Sequence, residues 1–230
     1  MMPRSYDLRS LNVGMPKEVS YGGKLIQTGI NKSRVSEPVF LSSLKFNGDG
    51  QADLVHHGGI DKAVCVYSYN HYPYWEKELN RKLVYGAFGE NMTVQDMLEE
   101  DVCIGDIFQI GEAVVQVSQP RQPCFKLAKK YDIPQLPLYF QNTGYTGFYF
   151  RVLKEGGVSP TDSLKQLESD RKGISIAFAN HIMHKEKRNF EGVRRILGVE
   201  ALSASWRKTF EKRLKGEEGS TKERLEGISE

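Results

Sequence analysis

Apolar residues recur in short bursts broken by Gly, Pro and Asn along the first two thirds of the chain, and at helical spacing along the last third. The bursts predict strands. Lys24 to Ile30 follows a Tyr21-Gly22-Gly23 turn, and Val39 to Phe46 follows Pro38. Ala63 to Tyr69 is rich in β-formers and lacks a polar face, which predicts a strand buried on both sides. Ile107 to Ile110 and Ala113 to Ser118 flank Gly111-Glu112 and predict a hairpin. Phe148 to Leu153 predicts a further strand. Two short helices interrupt. Asn70 to Leu79 is one; Pro123 to Tyr131 is the other, with Pro at its first position and Phe125, Leu127, Ala128 and Tyr131 at helical spacing. Many short strands with Gly/Pro turns predict a mainly β fold closed into a barrel.

The tail predicts three or four helices. Asp162 or Ser163 caps the first. Ser175 caps a second that runs through His184, and Asn189 caps a third that stops at Gly198. Ser203 caps a last one, with Trp206, Phe210 and Leu214 at i, i+4 and i+8 and Gly216 beyond its end. Residues 216–230 read as frayed.

Composition sharpens this division. All nine prolines fall at or before Pro160, all eleven tyrosines at or before Tyr149, and 16 of 22 glycines lie in residues 1–160. Those 160 residues hold 17 basic and 17 acidic side chains, whereas the tail holds 15 and 12 and so carries the whole net charge of +3. The expected boundary lies near Gly156 to Asp162: a barrel domain in 1–160, its core about 20–155, and a helical subdomain in 161–230. At 230 residues the chain can bury a core without staples. Mean hydropathy is −0.48, and no run of about 18 apolar residues is present, which argues against a membrane-spanning helix. Met1 to Ser10 has no apolar stretch to act as a secretory signal, and three cysteines, an odd count, fit a reducing compartment; the expected location is cytoplasmic. The neutral front part gives no basic face for nucleic acid.

Several loops carry chemistry. Cys124 sits in Gln119-Pro120-Arg121-Gln122-Pro123-Cys124-Phe125-Lys126. In the first turn of a helix, with Arg121 and Lys126 nearby, its thiolate is favoured, which suits a metal ligand or a reactive sulfur. The alternative is a buried structural cysteine, the expectation for Cys65 and Cys103. No CxxC pattern is present to build a zinc or iron–sulfur site. His56-His57-Gly58-Gly59-Ile60-Asp61-Lys62 is a polar Gly-rich loop entering a buried strand; its glycines expose amides and its His and Lys supply donors, which suits a phosphate or another anion. Asn31-Lys32-Ser33-Arg34 offers two cations and a hydroxyl. Phe88-Gly89-Glu90-Asn91 and Asn142 to Gly147 are further polar turns, and each of these loops alone also reads as a solvated turn. His181 and His184, three apart on a helix without an acidic partner one turn away, read as a surface or packing pair. GxSxG, Walker, GxGxxG and HExxH patterns are absent from the sequence.

Taken in order, five pieces resemble the MOSC domain, named for the C-terminal domain of molybdenum-cofactor sulfurases. They are His57 to Ala63, Phe88 to Asn91, Ile104-Gly105-Asp106, Gln119 to Cys124, and Thr146 to Arg151. The helical tail resembles the three-helix domain of the family's YiiM branch. The resemblance implies a MOSC-type β-barrel like that inserted in pyruvate kinase, followed by a C-terminal helical subdomain. It implies the molybdenum cofactor, a pyranopterin whose dithiolene holds molybdenum and whose tail is a phosphate. It makes Cys124 the protein ligand to molybdenum, and a soft thiolate suits such a metal.

The implied activity is molybdenum-dependent reduction of N-hydroxylated compounds, including detoxification of 6-hydroxylaminopurine: R–NHOH, two electrons and two protons give R–NH2 and water. On this reading Lys32, Arg34, His56, His57, Lys62 and Arg121 neutralise the phosphate and pterin edge. Gly58 and Gly59 allow close backbone approach. Glu90 and Asn91 bond the pterin or shape the substrate mouth, and Asp61 braces its loop. The electrons come from a separate reductase, for which the basic tail is a candidate docking surface. The chain acts as a monomer or homodimer, and an anion takes the phosphate site if purified protein loses its cofactor. Two alternatives stay open: a non-catalytic cofactor carrier, and a sulfur carrier using a Cys124 persulfide.

Overall fold

Period-two alternation begins at the chain's start, where Ser5–Val13 forms β1 and buries Tyr6, Leu8 and Leu11. The computed structural model describes residues 4–21, 24–52, 58–217 and 219–227. After β1 come a hairpin of β2 (Lys17–Tyr21) and β3 (Lys24–Thr28), then β4 (Ser33–Arg34) and β5 (Val39–Leu41). β6 (Val64–Ser68) leads into α1 (Tyr72–Glu78), and β7 (Met92–Val94) follows. β8 (Ile107–Ile110) and β9 (Ala113–Pro120) form the expected hairpin. α2 (Phe125–Tyr131) and α3 (Leu136–Thr143) separate β9 from β10 (Phe148–Lys154), and β11 (Gly156–Val158) and β12 (Ser163–Glu168) complete the strands. The tail holds α4 (Ile176–His184), α5 (Phe190–Leu197), α6 (Ala204–Leu214) and α7 (Lys222–Glu226).

Seven strands close a mixed barrel in the order β12-β8-β9-β10-β6-β7-β1, and β1 returns to β12 through Tyr6↔Leu164. Neighbours run antiparallel except β6 and β7, which are parallel. Strand β6 is buried on both faces, as its composition predicts. Its Val64 and Val66 join the barrel core with Phe108, Val115, Phe148 and Phe150. That core continues without a break into Ile176, Ile182, Val193, Ile196, Trp206 and Phe210 of the tail, so barrel and helices share one apolar interior. A second cluster lies outside the barrel. There Tyr67 on the other face of β6 packs with Trp75, Phe88, Leu127 and Phe140, and Trp75 stacks on Phe140 at 4.0 Å. This cluster fixes α1, α2 and α3 against the barrel wall and anchors the Phe88 loop.

Three helix starts match their predicted caps. The side chains of Ser175, Asn189 and Ser203 accept from the amides of Phe178, Gly192 and Trp206 at 3.1, 2.8 and 3.3 Å. The helix expected after Asp162 is instead β12, so the sheet runs to Glu168, past the expected boundary at Gly156 to Asp162. A polar cap followed by Leu164 and Leu167 three residues apart imitates a helix start. Closing the barrel needs a strand between β8 and β1, and the ladders to both outweigh the local spacing. The strand expected over Val39 to Phe46 stops at Leu41, where a turn held by Ser42 leads to a bridge from Leu41 to Phe46. The C-terminal residues expected to fray contain α7. Among the described residues no helix is long and apolar enough to cross a membrane.

Candidate functional site

One end of this scaffold carries a small cleft of about 80 Å³ that opens to solvent. Its walls come from the segment after β3, the turn at Asp49 to Ala52, Lys62, the 88–91 loop and the run from Arg121 to Lys126. Cys65 on β6 and Tyr149 on β10 form its floor, directly opposite each other in the strand ladder. Because Val64 and Val66 face the barrel interior, the pleat turns Cys65 outward to the cleft.

Cys124 lies in this wall, 8 % exposed. It is the N-cap of α2, with extended backbone at φ −129° and ψ 169°, so the helix starts one residue after it at Phe125. This corrects the expectation that Pro123 opens the helix and that Cys124 sits inside the first turn. The carbonyl of Cys124 accepts from Leu127, and its side chain makes no capping hydrogen bond.

Arg121 is the charge at the centre of the site, and only 7 % of it is exposed. Its Nη2 donates to the Phe88 carbonyl at 2.6 Å, while its Nη1 is buried with no partner among the described residues. Burial opposes the guanidinium charge, but Cys65, Tyr149, Cys124 and Glu90 around it outweigh that and raise its pKa. Burial pushes the Cys65 thiol up, against the pull of Arg121. Burial, then Cys65, pushes the Tyr149 phenol up as well. Both therefore keep their protons at neutral pH. Burial lowers the Lys130 ammonium to about 8; its Nζ reaches the carbonyls of Ile30, a cleft residue, and Gly86.

The predicted site residues divide into three groups. Cys124, Lys32, Lys62, Asn91 and Arg121 line the cleft together. Of these, Lys32 already pairs with the buried Asp49, which also accepts from Asn91 Nδ2 at 2.9 Å. Asn91 is fully engaged, its Oδ1 taking the Cys65 amide at 3.0 Å and its Nδ2 also reaching the Asn12 carbonyl at 3.2 Å. Glu90 stands behind the wall with no exposed surface. It accepts from the Phe88 amide at 2.9 Å, from Thr93 Oγ1 at 3.0 Å and from the Tyr72 hydroxyl, so it braces the loop instead of facing a ligand. Arg34 lies apart from the cleft, exposed on β4 with its guanidinium 5.9 Å from the Tyr85 ring. The two-residue pairing of β4 with β1 turns that segment toward the 85 loop. Gly59 is exposed at φ 95° with open space where a Cβ would stand; neither it nor Gly58 lines the cleft. His56 and His57 lie outside the described residues.

Asp61 braces its loop as expected. Its Oδ1 takes Arg151 Nε at 3.0 Å and Nη2 at 2.7 Å, and its Oδ2 takes the Ala204 amide at 3.0 Å, tying the loop to β10 and α6. Sequence reasoning missed Cys65 and Tyr149 as cleft residues, while Lys126, read as a charge near Cys124, does line the cleft. The pleat of β6 was the available signal for Cys65, since the residue between two core valines must face the other way. Among the described residues no group of three or more His, Cys, Asp or Glu is arranged to hold a metal ion.

With this geometry in hand, similarity to known proteins is informative. The MOSC domain family model matches residues 53–165, and the model described as "YiiM-like, 3-alpha helix domain" matches residues 174–217. The chain is 55% identical over 213 residues to YflK of Bacillus subtilis (strain 168), covering 93% of this chain and 96% of that one. It is 37% identical over 170 residues to a protein named "Reductase" from Gibberella moniliformis (strain M3125 / FGSC 7600), covering 72% of this chain but 30% of that one. Among solved structures, YiiM from Geobacillus stearothermophilus superposes with a TM-score of 0.78 at 44% identity, covering 91% of this chain and 99% of that one.

Proposed function

Because the chain belongs to the MOSC-domain family, in the branch that carries a YiiM-like three-helix domain, we propose that it binds the molybdenum cofactor in the Cys124 cleft and reduces N-hydroxylated compounds to amines. The observation that carries this reading is the buried Arg121, which lines the cleft with Cys124 and whose Nη1 has no partner among the described residues. A buried donor without a partner costs stability, so this one suits an acceptor that the described residues do not supply. An anionic ligand that also offers a soft metal to a thiolate meets both groups at once.

The donor set fits the cofactor. A metal already held by a pterin dithiolene needs one protein thiolate, not a cage of side chains, and one cysteine at the wall is the supply here. Cys124 is the ligand. Arg121, Lys62 and Lys126 neutralise the anionic parts, and His56 and His57 are assigned to the same edge by their motif. When bound, the molybdenum centre supplies the two-electron chemistry that removes the hydroxyl oxygen. The chain's own residues orient and protonate. Tyr149 and Cys65, both held in their protonated forms, offer O–H and S–H donors to a hydroxylamine at the cleft floor. Asn91 and Glu90 keep the opposing loop rigid, so these donors stay aimed. The electrons come from a separate protein. The Gibberella relative named "Reductase", most of whose length lies outside the match, is consistent with such a coupling.

The test is metal and pterin content of gently purified protein from cells that make the cofactor, wild type beside Cys124→Ala. We expect about one molybdenum per chain in wild type and far less in the variant, as for loss of the sole protein ligand. Equal molybdenum in both removes Cys124 as the anchor. Cofactor without turnover of hydroxylamines, given a competent reductant, turns the reading toward a carrier.

A further inference from the structure

The matched three-helix region ends at residue 217, yet the chain continues into α7, and α7 packs on the segment that holds Cys124. Arg224 Nη1 donates to the carbonyl of Pro123 at 2.5 Å, and Nη2 donates to Gln141 Oε1 on α3 at 3.0 Å. Gly227, which ends α7 at φ 72°, backs onto the ring of Phe125; a Cβ there would stand 2.8 Å from the ring carbons. The residues on both sides of Cys124 are therefore gripped by one element, α7.

This grip meets a local need. Pro123 has no amide hydrogen to donate, and Cys124 is in extended backbone outside the helical ladder. The nearest internal ties are the Arg121 amide to the Gly147 carbonyl on one side and the Leu127 amide to the Cys124 carbonyl on the other, both at 3.0 Å. Between them the Pro123 carbonyl is held by Arg224. A ligand atom in a working site must be kept within about 0.5 Å of its productive position. The planar fork of an arginine can join the carbonyl of a turn to a side-chain oxygen on α3, which a lysine ammonium does less well.

We propose that α7 is a working part of the Cys124 site, a clasp in which Arg224 is a positioning residue that holds the Pro123-Cys124-Phe125 turn against the cleft. This rests on the reading of Cys124 as the functional sulfur, but the clasp itself is testable without any cofactor.

The experiment measures alkylation of each cysteine by a neutral iodoacetamide at one pH in the full chain, resolved by peptide mass spectrometry. The variants are Arg224→Ala, Arg224→Lys and Gly227→Val. Removing a cation from beside a thiol lowers its thiolate fraction and slows alkylation. Acceleration therefore reports lost positioning and not lost charge. We expect Cys124 to react about tenfold faster in Arg224→Ala, the scale set by losing a charged hydrogen bond. Gly227→Val should move it the same way, and Arg224→Lys should recover part of the protection. Cys103, remote from α7, serves as the reference and should not change. An unchanged or slower Cys124 in both Arg224→Ala and Gly227→Val overturns the clasp. So does a parallel rise at Cys103, which would mean general loosening. Molybdenum retained by Cys124→Ala would instead count against the cofactor reading and leave the labelling result standing.

Discussion

Arg121 carries a positive charge into a place that water barely reaches, and the groups around it show why that is tolerable. Phe88 gives it a carbonyl, and Cys65, Cys124, Tyr149 and Glu90 raise its hold on the proton after burial has opposed it. His184 is the opposite case. Its Nε2 is buried with no partner among the described residues, and burial followed by Arg224 and Arg213 lowers its pKa from 6.5 to about 3. A base whose folded pKa is depressed stabilises the fold fully above its unfolded value, and that contribution is lost as pH falls from about 6.5 toward 3. Urea midpoints at pH 7 and pH 4 should therefore drop more steeply for wild type than for His184→Gln. At this scale Cys124 was legible, because two prolines and an arginine crowd a single sulfur. Glu90 and Arg34 were not, because a charge in a loop looks the same in sequence whether it faces a ligand or braces its own backbone. Glu90 was drawn inward by three donors, and Arg34 was carried off by its pairing with β1.

Elements were most legible where a cap and a period agreed. The caps of α4, α5 and α6 are formed by Ser175, Asn189 and Ser203, residues whose short oxygens can reach a free amide in the first turn. β12 was illegible because its reason is remote: a strand is needed there only once β1 and β8 are known to flank it. The two leucines of β12 separate the readings. In a helix, residues three apart share a face; in the strand Leu164 is buried and Leu167 is 50 % exposed. Leu164→Ala should cost about 2–5 kcal/mol in denaturant unfolding. Leu167→Ala should stay within about 0.5 kcal/mol. Comparable losses at both positions would argue against the strand. The β6 strand teaches the converse lesson. Its burial on both faces was readable from composition, but one of those faces is the floor of a cleft, and composition does not distinguish a core from a pocket wall.

For the molecule as a whole, the compositional break near residue 160 pointed to a barrel and a helical appendage. Those parts exist, but the apolar interior passes from the barrel into α4, α5 and α6 without interruption. Asp61 adds a polar tie between barrel loop and α6. Two bodies sharing one core should unfold together. The two tryptophans give local reporters, since Trp75 lies in the aromatic cluster outside the barrel and Trp206 in the shared core. Fluorescence of Trp206→Phe, which reports Trp75, should show the same denaturant midpoint as the far-ultraviolet signal of that variant. Separate transitions would mean that the shared core does not couple the parts.

The closure of β1 on β12 has a consequence for how the protein is made. Ser5 pairs with Lys165, so β1 meets one of its two barrel neighbours only after β12 has been synthesised. Until then one edge of β1 is an unpaired template with alternating apolar residues, the kind of edge that invites pairing with other chains. Closing so long a loop is slow compared with forming local helices, and it sets the interval during which the nascent chain depends on dilution or a chaperone. Closure of this barrel is therefore decided by the meeting of β1 with β12, the two barrel strands farthest apart in sequence.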